Sequence, residues 1–278
     1  MKKALTTAVI ALAVASVSAL TGCVGNSGVE VSTVQTEPAT TSAATEPTTE
    51  AEPTSEPVVH VPEDFVVTRT QQEIRYSGAF LLTGEDYGES ETALCRLPRL
   101  TLTSDDAKAV NSDIAEKFDS TYTYCTNDEY PVGRVDYICT LNGNILSLPI
   151  EMRSVDTPNS SFTVYNINTE TGVKLSPDEV AAAAGASMDD VYKAIRADVN
   201  SRCDETKEKL YSGGGNLENN LALLEEARQK TLAQDNLSKA EVYLDKDGVL
   251  TAAYRYYWIA GAENYGALVK TEASYKAQ

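Results

Sequence analysis

The chain predicts an α+β domain, an antiparallel sheet with helices packed on it, preceded by a disordered stalk. Three observations predict it. Segments with period-two apolar alternation sit near both ends of the C-terminal three quarters, and helical periodicity fills the block between about 176 and 224. Strands, then helices, then strands is not the βαβ repeat that builds parallel sheets. Residues 23–64 carry almost nothing that could be buried, so they stand outside any core.

The N-terminus opens with Lys2 and Lys3, runs largely apolar from Ala4 to Leu20 and ends in Leu20-Thr21-Gly22-Cys23. A charged start, an apolar middle and small residues at the end make a secretory signal. The closing cysteine makes it similar to the lipobox read by the bacterial lipoprotein signal peptidase. That resemblance implies cleavage between Gly22 and Cys23 and diacylation of Cys23 by palmitate-type chains. The rival reading is a membrane span. The run is Ala-rich and near the lower length limit for a span, and no Lys or Arg follows it before Arg69. One acyl chain anchors only marginally, whereas two hold a protein stably. Residues 1–22 are therefore read as the signal. The expected location is the extracellular face of the cell membrane, with the membrane itself as a partner through the lipid.

Residues 23–64 are rich in Thr, Ser, Glu, Pro and Ala, as in Thr45-Glu46-Pro47-Thr48-Thr49-Glu50. Recurrent Pro and self-repelling Glu predict an extended, disordered linker. It would reach on the order of 100 Å in polyproline geometry and roughly 35 Å as a coil.

The folded domain is read as 65–278. A strand over 74–82 places Ile74, Tyr76, Phe80 and Leu82 on one face. A second extended piece, 94–103, contains Pro98, which predicts an edge or a bulge. Ser104 caps a helix carrying Ala107, Val110, Ile114 and Phe118, with Asp105 and Asp106 favouring its N-terminus. A hairpin over 132–153 turns at Asn142-Gly143-Asn144. In its second strand Leu146, Leu148, Ile150 and Met152 point inward and Ser147, Glu151 and Arg153 outward. A strand at 162–167 precedes a Thr169–Gly172 turn. Ser176-Pro177-Asp178-Glu179 is a capping box with Pro at the first helical position. Ser187–Asp190 starts a longer helix with Val191, Ile195, Val199 and Cys203 on one stripe, ended by Gly213-Gly214-Gly215. Leu217, Leu221 and Leu224 mark a further helix. Strands at 241–244 and 249–258 flank an Asp245–Gly248 turn, and a last strand covers 267–271.

Charge and chemistry exclude more than they select. Loss of residues 1–22 leaves 21 basic against 41 acidic residues, a net charge of −20. That excludes nucleic acid as a partner and disfavours an electrostatic grip on anionic lipid or wall polymer. It favours a cationic partner, although the same charge also keeps an exported protein soluble. The one histidine, His60, lies in the linker, so no Ser-His or Cys-His mechanism and no His-bearing metal site fits the domain. No phosphate loop occurs, and no cofactor or metal is expected. Asp245-Lys246-Asp247-Gly248 faintly resembles a calcium loop, but no later carboxylates follow at the required spacing; a tight turn is the better reading. Carboxylate pairs such as Asp136 with Glu151 are the candidates for a glycosidase. With acids this frequent, chance pairs are expected, so no catalytic residue is assigned and the domain is read as non-enzymatic.

With Cys23 lipidated, Cys95, Cys125, Cys139 and Cys203 remain, enough for two disulfides or for four buried thiols. Cys125 with Cys139 is the more local pairing. The most suggestive binding feature is Tyr254-Arg255-Tyr256-Tyr257-Trp258 followed by Asn264-Tyr265. Strand alternation sends Tyr254, Tyr256 and Trp258 to the core. Arg255, Tyr257 and Tyr265 are left as the candidate binding surface.

Several short motifs occur in order: Leu97-Pro98-Arg99-Leu100, a helix with Val110-Asn111, Ile145-Leu146-Ser147-Leu148, Tyr165-Asn166-Ile167-Asn168 and Thr171-Gly172-Val173-Lys174-Leu175. Leu244 to Gly248 then precedes a Tyr-rich close, Tyr257 to Gly266. Together they resemble the RsiV-like extracellular domain family. Its members are anti-sigma factor ectodomains, the domains preceding peptidoglycan deacetylase modules, and Gram-positive surface lipoproteins. The resemblance implies an α+β fold without a catalytic site and a ligand such as lysozyme, a cationic protein. The chain reads Ser154-Val155-Asp156-Thr157-Pro158-Asn159 where the family often carries a Gly-Gly-x-His-like segment. No sigma-binding part or transmembrane helix precedes the domain, so signalling is not implied. The expectation is a lipid-anchored binding domain for a cell-wall glycan or a secreted protein. Its rivals are a carboxylate-only wall enzyme and a structural or solute-binding lipoprotein.

Overall fold

A computed structural model describes residues 60–127, 133–154, 159–213, 216–259 and 264–276. The residues read as a signal, as a lipobox and, nearly all of them, as a linker lie outside these ranges. The α+β expectation holds, with one change. The predicted single antiparallel sheet is three antiparallel sheets, one of them a long two-stranded ribbon.

A single 3-10 turn, Pro62–Asp64, leads into β1 (Val66–Phe80), which pairs with β2 (Glu85–Leu100) as one long hairpin. Pro98 sits opposite Thr68, beside a register shift between Thr68 and Thr70. Its missing N–H is thus placed at a bulge on a two-stranded ribbon, as a proline in a strand requires. A second shift lies between Tyr76 and Gly78, and Ile74, Tyr76 and Phe80 are buried on one side of β1. Helix α1 (Asp105–Asn127) follows, with Ser104 Oγ accepting the Ala107 N–H at 3.2 Å. Its buried stripe is Ala107, Val110, Ile114, Phe118 and Cys125.

The second sheet centres on β5 (Ile145–Ser154). β3 (Gly133–Tyr137) and β4 (Thr140–Asn142) lie end to end along one edge of it, and β6 (Ser160–Asn168) lies along the other. The β4–β5 turn needs Gly143, whose φ is +59°. Leu146, Leu148 and Ile150 join Ile114, Phe118, Leu97 and Tyr165 in the first core, as the alternation predicts. Ser147 and Glu151, predicted to face solvent, are instead fully buried. The sheet is covered on both faces, and its second face mixes the polar Ser147, Glu151 and Asn166 with the apolar Val164 and Phe162, which pack against Tyr243 and Ala253.

That mixed face receives the third sheet, β7 (Glu241–Leu244), β8 (Val249–Tyr257) and β9 (Asn264–Ser274), in the order β7-β8-β9. β7 is an edge strand, and side chains of the second sheet satisfy its free groups. Thr140 Oγ1 donates to the Leu244 carbonyl at 2.5 Å, the Leu244 N–H donates to Ser147 Oγ at 3.2 Å, and Asn166 Nδ2 donates to the Val242 carbonyl at 2.8 Å. Ser147 Oγ in turn donates to Asn166 Oδ1 at 2.7 Å. Buried polar groups persist only when paired in this way. The edge strand is thereby kept from pairing with another chain.

The other face of the third sheet carries the helices: α2 (Pro177–Ala183), α3 (Met188–Gly213), α4 (Leu217–Leu232) and the short α5 (Gln234–Leu237). Both predicted capping boxes are present, Ser176 with Glu179 and Ser187 with Asp190. The second core gathers Val180, Val191, Ile195, Val199 and Leu237 against Val242, Leu250, Ala252, Tyr254 and Tyr256. Among the described residues no helix is long and apolar enough to cross a membrane.

Candidate functional site

The Tyr-rich motif forms the C-terminal part of β8. Tyr254 and Tyr256 are buried against the helices, as predicted. The Tyr254 hydroxyl donates to Asp198 Oδ2 at 2.5 Å, and burial followed by this carboxylate pushes its ionisation well above the usual phenol range. Trp258, also assigned to the core, is instead 36 % exposed. It follows the last residue of β8 and rests beside Tyr256 and Tyr265, at centroid distances of 6.2 and 6.5 Å. Beyond Ala253, β8 has no β7 partner. α4 and α5 take that place. Asn236 Nδ2 donates to the Arg255 carbonyl at 2.9 Å, and the Tyr257 N–H donates to Thr231 Oγ1 at 3.0 Å.

These bonds hold the backbone of Arg255 while the residue itself is exposed. Arg255 lines a groove of about 610 Å³ between β6 and the third sheet. Ser160, Ser161 and Phe162 form one wall, and Arg255, Tyr265 and Gly266 the other, with Glu241 and Ala253 also lining it. Gly266 is the close-approach point. A Cβ there would fall 2.5 Å from the Ser160 carbonyl and 2.6 Å from the Phe162 ring. Glycine is needed for the two walls to meet at this distance.

Glu241 Oε2 accepts the Val164 N–H at 2.7 Å. Burial raises its ionisation above the usual carboxylate range, opposed by that hydrogen bond and by the charges of Lys117, Lys174 and Arg255. The groove thus pairs an exposed guanidinium with a carboxyl held toward its neutral form, beside two aromatic rings and hydroxyl groups. Such a set can stack on a ring and hydrogen-bond to hydroxyls or amides.

Of the three predicted surface residues, Arg255 and Tyr265 line the groove, while Tyr257 is half-buried and is not among its lining residues. Arg255 stands opposite Gly266, and Tyr265 opposite Tyr256, so the two side chains leave the sheet from alternate faces. Glu241, Phe162 and Ser160 were not singled out from sequence. Phe162 opens the strand read at 162–167 and Ser160 precedes it, whereas the observed strand begins at Ser160; Glu241 reads as an ordinary strand-start acid.

The carboxylate pair Asp136 and Glu151 are direct cross-strand neighbours. Both are fully buried and engaged. Asp136 accepts from Arg96 Nε at 2.7 Å and from Arg134 Nη2 at 2.5 Å; Glu151 accepts the Leu82 N–H at 2.9 Å and Ser160 Oγ at 2.5 Å. Burial holds Glu151 above the usual carboxylate range. The Asp245 carboxylate closes its own turn, accepting the N–H groups of Asp247 and Val249 at 2.9 Å each and Lys270 Nζ at 2.6 Å. Cys95, Cys125, Cys139 and Cys203 are thiols here, and Cys125 adjoins Cys95. Gly22 and Cys23 lie outside the described residues. No family model matches the chain, and no curated protein or solved structure matches it.

Proposed function

We propose that the chain is a lipid-anchored, non-catalytic binding domain on the extracellular face of the bacterial cell membrane. Its groove at Arg255 receives a wall-associated glycan or a segment of a secreted protein. The observation that carries this reading is the groove, where Arg255 of β8 stands across from Ser160 and Phe162 of β6, with Tyr265 also lining it. Aromatic rings and arginine are the groups most enriched at recognition surfaces. The lipobox ending at Cys23 and the extended linker support presentation of such a groove away from the membrane. The mature charge of −20 and the RsiV-like resemblance favour a cationic protein such as lysozyme as the partner.

A second reading, a wall-modifying hydrolase using carboxylates only, draws support from Glu241, which lines the groove with a raised ionisation. The commitment of Asp136 and Glu151 to structural bonds weighs against it. Incubating the purified protein with soluble peptidoglycan fragments and with lysozyme separates the readings. Saturable binding without release of sugar or acetate is expected. Release selects the hydrolase, and neither binding nor release selects a structural or solute-binding lipoprotein.

A further inference from the structure

Cys95 and Cys125 are brought together by a register that side chains fix. Cys95, on β2, is buried and stands opposite Gln72 of β1. Cys125 is buried near the end of α1. Three rungs lock α1 along β1. The Arg69 guanidinium pairs with Asp119, Thr70 Oγ1 donates to the Tyr122 hydroxyl at 3.0 Å, and Gln72 Nε2 donates to the Thr126 carbonyl at 3.0 Å. The last rung joins the partner of Cys95 to the neighbour of Cys125. Both side chains are buried in the first core, and the two thiols lie close enough to influence one another's ionisation. This contact lowers the ionisation of Cys95 and raises that of Cys125. The other two cysteines are held elsewhere. Cys139 lies between β3 and β4, where burial pushes its thiol up to about 12. Cys203, on α3, packs beside the Tyr256 hydroxyl at 4.0 Å.

We propose that Cys95 and Cys125 close a disulfide that staples β2 to the C-terminal end of α1, leaving Cys139 and Cys203 as thiols. The step is thiol–disulfide exchange with a small external disulfide such as oxidised glutathione. The Cys95 thiolate attacks one sulfur of that disulfide and expels a thiolate, giving a mixed disulfide. The Cys125 thiolate then attacks the Cys95 sulfur and expels the second thiolate. Two protein thiols are oxidised, the external disulfide is reduced to two thiols, and the two protons lost by the cysteines pass to the leaving thiolates. Because both sulfurs are buried, exchange proceeds as the chain folds or when the last turn of α1 opens. The exported location proposed above supplies the oxidising setting in the organism.

The test is peptide mapping of the full-length protein refolded in a glutathione redox buffer, alkylated and cut with trypsin without reduction. Trypsin separates the thiols: Cys95 falls in 76–96, Cys125 in 118–134, Cys139 in 135–153 and Cys203 in 203–207. Peptides 76–96 and 118–134 are expected as one linked species that reductant splits, with Cys139 and Cys203 alkylated. Alkylated Cys95 and Cys125, or a link to 135–153, would overturn the proposal. Reductant is also expected to lower Tm by roughly 5–10 °C; an unchanged Tm would overturn the staple. Cys23 lies on its own peptide and the oxidant is supplied in the tube, so a failed membrane anchor leaves this result readable.

Discussion

Arg134 and Asp136, two residues apart on β3, meet at 2.5 Å with 2 % and 0 % of their side chains exposed. Arg134 also donates through Nε to the Leu94 carbonyl at 2.8 Å, and its guanidinium carbon lies 4.2 Å from the centre of the Phe80 ring. Asp136 has Arg96 as its second cation, at 2.7 Å. The ribbon β1–β2 is thus tied to the second sheet by an ion cluster closed over by rings. Breaking such a pair leaves one buried charge uncompensated, which costs more than the pair contributes. Asp136→Ala is expected to lose about 3–5 kcal/mol in urea unfolding. Arg134→Met with Asp136→Leu is expected to lose less than Asp136→Ala alone. Equal stability of Asp136→Ala and wild type would contradict the cluster's role.

Glu241 couples the groove to pH. Burial holds its carboxyl above the usual range, so the folded chain keeps this proton more tightly than the unfolded chain does. The stability it contributes is full below the unfolded carboxylate value and is lost as pH rises through the folded one. Glu241→Gln keeps an acceptor for the Val164 N–H and removes the charge. Unfolding measured from about pH 4 to pH 8 should show the variant gaining on wild type as pH rises. A difference that stays constant across that range would contradict the assignment.

Gly266 sets the width of the groove. Gly266→Ala places a methyl group where the Ser160 carbonyl and the Phe162 ring already lie. β9 and β6 must separate, at an expected cost of about 1–3 kcal/mol. Thermal melting reads the loss, and an unchanged Tm would show that the walls do not meet as described.

The sequence reading did best where one rule acts alone. Ser176-Pro177-Asp178-Glu179 announced α2 because capping is local. The stripe Ala107, Val110, Ile114, Phe118 announced α1 because its period is set by one buried face. It failed where two faces compete. Ser147 and Glu151 read as solvent-facing because alternation reports only the apolar side; Ser147 is taken up by Leu244 of β7, 97 residues away, and Glu151 by the Leu82 N–H and Ser160. The β1–β2 hairpin is not legible for a similar reason, since 85–93 has little apolar alternation and gains its order by pairing with β1. Arg255 was legible as an outward arginine in a Tyr-rich strand. Glu241 and Phe162 were not, because they become groove walls only when sheets from distant segments pack together.

Cys23 is the test of where the domain sits. Cells fed labelled palmitate should incorporate it into the wild-type protein and not into Cys23→Ser. The variant should also leave the membrane fraction. An unlabelled wild type, or a serine variant still held on the membrane, would contradict the anchor.

Arg255 tests the binding claim most directly. Titration of wild type and Arg255→Ala with soluble peptidoglycan oligosaccharides and with lysozyme is the decisive measurement. Arg255 is exposed, so its removal should leave Tm unchanged. Saturable binding by wild type to one of the two ligands, weakened about tenfold or more in the variant, is the predicted result. No saturable binding to either ligand, or equal affinity of the two proteins, would contradict the account.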